Sequence, residues 1–322
     1  MKENPFSTPL DIRHILSNSP PPQDHVLPGL LAGTVGMLAG PGGVGKTMFE
    51  LQIALAIASG SSICGGLFDD AEVANLISKQ PGKVVLVVAE ESVDVIWNRL
   101  HAIVSTVYGK ASTSGLNIDM NALMNLFVKN LHIHALAGIS RVTLMNQQLM
   151  PAESFNQLTA ACAGARLVIL DPIRRFHISE ENDSGAMTAL VQMLQELSST
   201  TNAAVVFAHH TNRASTQQGQ GDTAGAARGS TALTDGVRWQ LNMSNLTKEA
   251  ARNHGIAEYN IGQFVMLNIT KANYLSAQIA TMLQRQNGGV LLCAAVENRF
   301  TIKTVGKNSG TRAQSQFKVI SS

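Results

Sequence analysis

The stretch Thr34-Val35-Gly36-Met37-Leu38-Ala39-Gly40-Pro41-Gly42-Gly43-Val44-Gly45-Lys46-Thr47 decides the fold. Its first six residues read as a short buried strand. The eight that follow match GxxxxGK[ST] without a mismatch. From Thr47 to Ser59 the chain is apolar and reads as a helix. Strand, glycine-rich loop and helix, in that order, are the context in which such a loop holds phosphate. Gly40, Pro41, Gly42, Gly43, Val44 and Gly45 form the cradle. Its glycines let the backbone approach an anion closely and adopt positive φ, and the helix behind it adds its N-terminal dipole. Lys46 is expected on the β- and γ-phosphates and the Thr47 hydroxyl on Mg²⁺, which makes ATP and Mg²⁺ the expected cofactors.

Working outward, three more apolar runs have the character of parallel strands covered on both faces: Lys83 to Ala89, Arg166 to Asp171 and Ala203 to Ala208. Leu131 to His134 reads as a short strand, and Phe264 to Ile269 as a later one. Between them, Ser92 can cap a helix carrying Ile96, Leu100, Ile103 and Val107. Glu153 to Ala163 reads as helical, and Met187, Leu190, Val191, Leu194 and Leu197 mark an amphipathic helix. Strands alternating with helices predict an α/β fold with a mostly parallel central sheet flanked by helices. Residues 1–28 read as an N-terminal arm, with a helical turn near Asp11 to Leu16 and an extended Pro20-Pro21-Pro22. Residues 29–302 read as the catalytic domain. Residues 303–322 form a basic tail without acidic residues, expected to be disordered.

In an open parallel sheet, ligands sit beyond the carboxyl ends of the strands. Asp171 ends one buried strand and is the expected partner of the Mg²⁺ water shell. Glu90 follows another and is the candidate general base for the attacking water. Glu91 is its rival, since a pair of acids also suits a helix N-terminus. His209 and His210 follow the strand ending at Ala208. One of them is placed to sense the γ-phosphate, and His210 is favoured by a small margin. Residues 213–228 are rich in Gly, Gln, Ala, Ser and Thr and read as a loop. Arg228 at its end is a candidate contact to nucleic-acid phosphate. Arg238 is a candidate arginine finger directed at a neighbouring subunit. The alternative for either arginine is a surface salt bridge or structural cap. Arg174-Arg175 are as compatible with a structural pair as with a substrate contact.

Composition narrows the classes. The chain has 322 residues, 45% hydrophobic and 14% charged, which suffices for a large core and argues against wholesale disorder. A formal net charge of +2 is too balanced to argue for nucleic acid, so local basic groups must do so. Aromatic residues make up 5%, too few for a base-stacking platform, so salt-sensitive backbone contacts are expected instead. Cys64, Cys162 and Cys293 have no metal-like spacing and read as reduced thiols. Neither a secretory leader nor a membrane span is legible, and a cytoplasmic location is expected.

The ordered blocks resemble the RepA-type hexameric replicative helicases of broad-host-range plasmids, relatives of the DnaB family within the RecA-like class. The blocks are Val26-Leu27-Pro28 with Ala32 to Gly36, the phosphate loop, Ala89-Glu90-Glu91, and Val168 to Asp171 running on through Arg174-Arg175-Phe176-His177-Ile178. They continue with Val206 to His210, Arg228-Gly229-Ser230, Arg238-Trp239-Gln240 and Lys271-Ala272-Asn273-Tyr274. The resemblance extends to about Val290. It implies a RecA-like P-loop core, a homohexameric ring with ATP sites between subunits, and single-stranded DNA in the central hole. It places Lys46 and Thr47 on phosphate and Mg²⁺, Glu90 on the catalytic glutamate, Asp171 on the Walker B aspartate, His210 on the sensor and Arg238 on the finger. Lys271 matches a lysine that reaches the neighbour's nucleotide. DnaB relatives carry an arginine two residues further on. Here that position is Asn273, which moves the finger role to Arg238. The separate N-terminal domain through which DnaB relatives meet primase is not part of the pattern, so coupling by that route is not expected. The rival reading is a RecA-like DNA-dependent ATPase, a recombination or mobile-element accessory protein that does not unwind.

Overall fold

The computed structural model describes residues 6–61, 80–109, 119–139, 142–211, 231–275 and 280–294. The loop with Arg228, the basic tail and Cys64 lie outside these residues.

Among the described residues, a nine-stranded sheet runs through the protein. Helix α1 (Ile12–Ser17) is capped by Asp11, whose side chain accepts from His14 N. A small hairpin of β1 (His25–Leu27) and β2 (Leu30–Leu31) leads into β3 (Val35–Gly40). The remaining strands are β4 (Lys83–Val88), β5 (Leu131–Ala135), β6 (Ala165–Asp171), β7 (Ala204–His210), β8 (Trp239–Asn245), β9 (Phe264–Ala272), β10 (Ala280–Arg285) and β11 (Leu291–Cys293). Their order is β11-β10-β9-β8-β3-β7-β6-β4-β5. Every pairing from β8 to β5 is parallel, and the three from β8 to β11 are antiparallel. The expected mostly parallel sheet is present, with an antiparallel wing attached.

Side-chain alternation divides the core into two layers. Leu38, Val84, Leu86, Val88, Leu167, Ile169 and Val206 face α2 (Lys46–Ser59), α3 (Val93–Ile103) and α4 (Met120–Asn130). Met37, Val85, Val87, Val168, Leu170, Val205 and Phe207 face α5 (Glu153–Ala161) and α6 (Ser184–Thr201). Helix α2 is buried on all sides, which explains why its sequence carries almost no amphipathic signal. Ser92 caps α3 as expected, accepting from Val95 N at 3.4 Å. Short helices α7 (Thr231–Gly236) and α8 (Lys248–Asn253) flank β8. Gly36 is required by a close approach, because a Cβ there would lie 2.6 Å from Trp239 Cε3. The indole is anchored by donating Nε1–H to Pro28 O at 2.8 Å.

Candidate nucleotide site

The phosphate loop joins β3 to α2. Gly43 and Gly45 have φ of 77° and 102°, so side chains at either position would be strained. Lys46 is buried, and its ammonium donates to Gly40 O at 2.9 Å and Pro41 O at 3.1 Å, within its own loop. Burial pushes this ammonium below its ordinary range, and the carboxylates of Asp171, Glu50 and Glu90 pull it back.

Three strand ends converge on that loop. In β6, alternation puts Asp171 on the face shared by Leu167 and Ile169, the one covered by α2. Its Oδ2 accepts the Thr47 hydroxyl at 2.6 Å. A hydroxyl and a carboxylate this close are hard oxygen donors that suit Mg²⁺, so the residues present fit such an ion. Once bound, it would neutralise charge on the phosphates. In β7, His210 shares the α2 face, and its Nδ1 is 3.3 Å from Lys46 Nζ. His209 is buried on the opposite face. Of the adjacent histidines, the structure therefore brings His210 to the loop.

Glu90, just past β4, is exposed and close enough to influence Lys46. Glu91 is half-buried and pairs with Arg99 at 2.5 Å. Burial raises the Glu91 carboxyl, and Arg99 opposes that. The two acids are thus differentiated: one is tied to α3, the other faces solvent beside the loop.

Two residues at the site escaped the sequence reading. Arg285, on β10, donates to Val44 O at 2.8 Å and braces the loop from the antiparallel wing. No motif marks it. Glu50 is fully buried on α2. A carboxylate three residues beyond Thr47 in an apolar helix was a legible signal, masked by the motif beside it.

Two further candidates, Arg238 and Lys271, are at the other end of the sheet. Arg238 is exposed just before β8, where its N–H donates to Val35 O at 3.2 Å. Val35 begins β3 and the phosphate loop leaves its far end, about 16 Å away at roughly 3.3 Å per residue. Lys271, on β9, pairs in register with Gln240. Its ammonium donates to Thr234 O at 2.8 Å and Asp235 O at 3.4 Å, the C-terminal carbonyls of α7. Burial lowers the Lys271 ammonium, Asp235 opposes this, and the nearby Arg238 adds to the lowering. Arg174 donates to Ser179 O at 3.1 Å, so it is held by its own loop.

Among the described residues no helix is long and apolar enough to cross a membrane, and no cluster of three or more metal-binding side chains occurs. Cys162 is a buried free thiol, pushed up to about 12 by burial.

Residues 3–216 match the family described as the AAA domain, more than half of the chain. Among solved structures, the chain is similar to the "ATPase Domain of G40P" at 14% identity and a TM-score of 0.51, covering 82% of this chain and 85% of that one. It is also similar to "The Structure Of A DnaB-Like Replicative Helicase And Its Interactions With Primase", at 14% identity and a TM-score of 0.51. That match covers 81% of this chain and spans 57% of the other. These likenesses establish a RecA-like P-loop ATPase fold.

Proposed function

Since the chain belongs to the AAA domain family, we propose that this helicase-like P-loop ATPase is an ATP-driven replicative DNA helicase, a homohexameric ring that moves along single-stranded DNA. One observation carries the reading: the chain holds two incomplete half-sites at opposite ends of one sheet. The first has the phosphate loop, Thr47, Asp171, Glu90 and His210. The second has the exposed Arg238 beside Lys271. Arg238 is too far from its own phosphate loop, about 16 Å at roughly 3.3 Å per residue, to act there. A ring of identical subunits solves this, because a head-to-tail interface sets one subunit's second half against the next subunit's first.

In that arrangement Lys46 and the loop N–H groups hold the phosphates, and Thr47 and Asp171 hold Mg²⁺. Glu90 orients and deprotonates the attacking water, and the neighbour's Arg238 stabilises charge growing on the γ-phosphate. His210, touching Lys46, reports the state of that phosphate along β7. The chain leaving β7 runs to Arg228 and returns through α7. Lys271 donates to the carbonyls at the end of α7. Arg228 would contact the DNA backbone, with little sequence preference and strong salt dependence.

The test is the ATPase rate with and without single-stranded DNA for the wild type and Lys46→Ala, with assembly mass recorded in the same buffer, followed by strand displacement. A ring-sized species whose rate rises with DNA and which displaces a strand supports the motor. DNA stimulation without displacement supports the non-unwinding ATPase instead.

A further inference from the structure

Helix α2 carries two polar residues in its buried body, and the protein treats them differently. Gln52 is fully satisfied: its Nε2 donates to Leu291 O at 2.7 Å and its Oε1 accepts from Leu291 N at 2.9 Å. Glu50 is 0% exposed and has no cationic or neutral hydrogen-bond partner among the described residues. The polar group it faces is another acid, Asp171. Its nearest cation is Lys46, whose ammonium is already engaged with Gly40 O, Pro41 O and His210.

Such an arrangement is expensive. A buried acid set against a second acid is costly to hold, and an apolar residue would fill the same volume without that cost. What distinguishes Glu50 is its place. It follows Thr47 by three residues and Lys46 by four, so it lies on the same helical face, one turn deeper. It stands behind the Thr47–Asp171 pair, where a divalent cation would supply the charge that the protein does not.

We propose that Glu50 is a positioning residue of the divalent-cation site, backing Asp171 and raising the affinity of the Thr47–Asp171 pair for the ion. This rests on the reading of that pair as the Mg²⁺ site. Glu50 is one turn too deep to be a ligand itself. It acts through Asp171, fixing the orientation of that carboxylate. Partners in the shell behind metal ligands commonly change metal affinity by about 10- to 100-fold.

The test uses Mn²⁺ as the probe and the full chain with ADP bound. Free Mn²⁺ is counted by electron paramagnetic resonance for the wild type, Glu50→Gln, Glu50→Met and Asp171→Asn, with melting temperatures taken in EDTA. A loss of Mn²⁺ affinity of about tenfold is expected in Glu50→Gln and Glu50→Met, with ADP affinity in EDTA unchanged. Two variants are used so that whichever folds decides. Wild-type Mn²⁺ affinity in a folded Glu50 variant, alongside a loss in Asp171→Asn, overturns the role of Glu50 and leaves the Mg²⁺ site standing. Unchanged affinity in Asp171→Asn as well takes down both.

Discussion

The two ends of the central sheet differ in how many polar groups they bring together. At the phosphate-loop end, Lys46 is held by its own loop carbonyls, Thr47 by Asp171 and Glu91 by Arg99. At the opposite end, Arg238 is exposed and Lys271 donates to the last carbonyls of α7 beside Asp235. The first end is a receptor built in advance. In the proposed ring, the second, the effector end, would act on a neighbouring subunit, and hydrolysis would then depend on assembly.

Breaking the effector end should have the largest effect. Arg238→Ala should lower kcat by about 10³-fold or more while ADP affinity stays within twofold of wild type, since arginine fingers act on the transition state. An equal fall in ADP affinity would place Arg238 in ground-state binding instead. At the receptor end, Glu90→Gln should lower kcat by roughly 10²- to 10⁴-fold with ATP still bound. If Glu91→Gln showed that loss in its place, the two acids would exchange roles.

Packing should separate the ends in the same way. Gly36 lies near the effector end, against the ring of Trp239, one residue from Arg238. Gly36→Ala must displace a buried indole, so a loss of about 1–3 kcal/mol in denaturant unfolding is expected. ADP affinity at the distant loop should persist. The smallest effect concerns Asp24, which receives two hydrogen bonds from Arg166, at 2.9 and 2.6 Å. Those bonds hold its carboxyl below the ordinary 3.8, against some burial. A depressed acid contributes stability above its unfolded value and loses it as pH falls through the folded one. Asp24→Asn should therefore cost less than about 1 kcal/mol at neutral pH and nothing in strong acid, by urea unfolding at both. The half-exposed position of Asp24 keeps the effect small.

How much of this was legible in the sequence depended on whether a pattern stayed local. Strands β3, β4, β6 and β7 read clearly because both faces of each are apolar. The phosphate loop read clearly because glycine geometry is written in residue types. Strand β8 was missed. It buries Gln240 and Asn242 on one face and Trp239 and Leu241 on the other, so neither an apolar run nor an apolar-polar alternation exposed at the surface marks it. Gln240 donates to Asn242 Oδ1 at 2.7 Å, a satisfaction no periodicity shows. Strands β10 and β11 are short and depend on β9 for pairing, so Arg285 went unseen with them. Helix α4 was missed although Asp119 caps it twice. For the histidine pair, alternation from Val206 through Ala208 puts His210 on the face covered by α2.

The division of labour between ends is tested most directly by mixing two inactive proteins. Lys46→Ala lacks the receptor end and Arg238→Ala lacks the effector end. If ATP sites form between subunits, a random mixed ring holds about a quarter of its interfaces with both Lys46 and Arg238 intact. DNA-stimulated ATPase activity should then return to roughly a quarter of wild type on that statistic. No recovery from subunits shown by mass to have exchanged would contradict a site shared between neighbours.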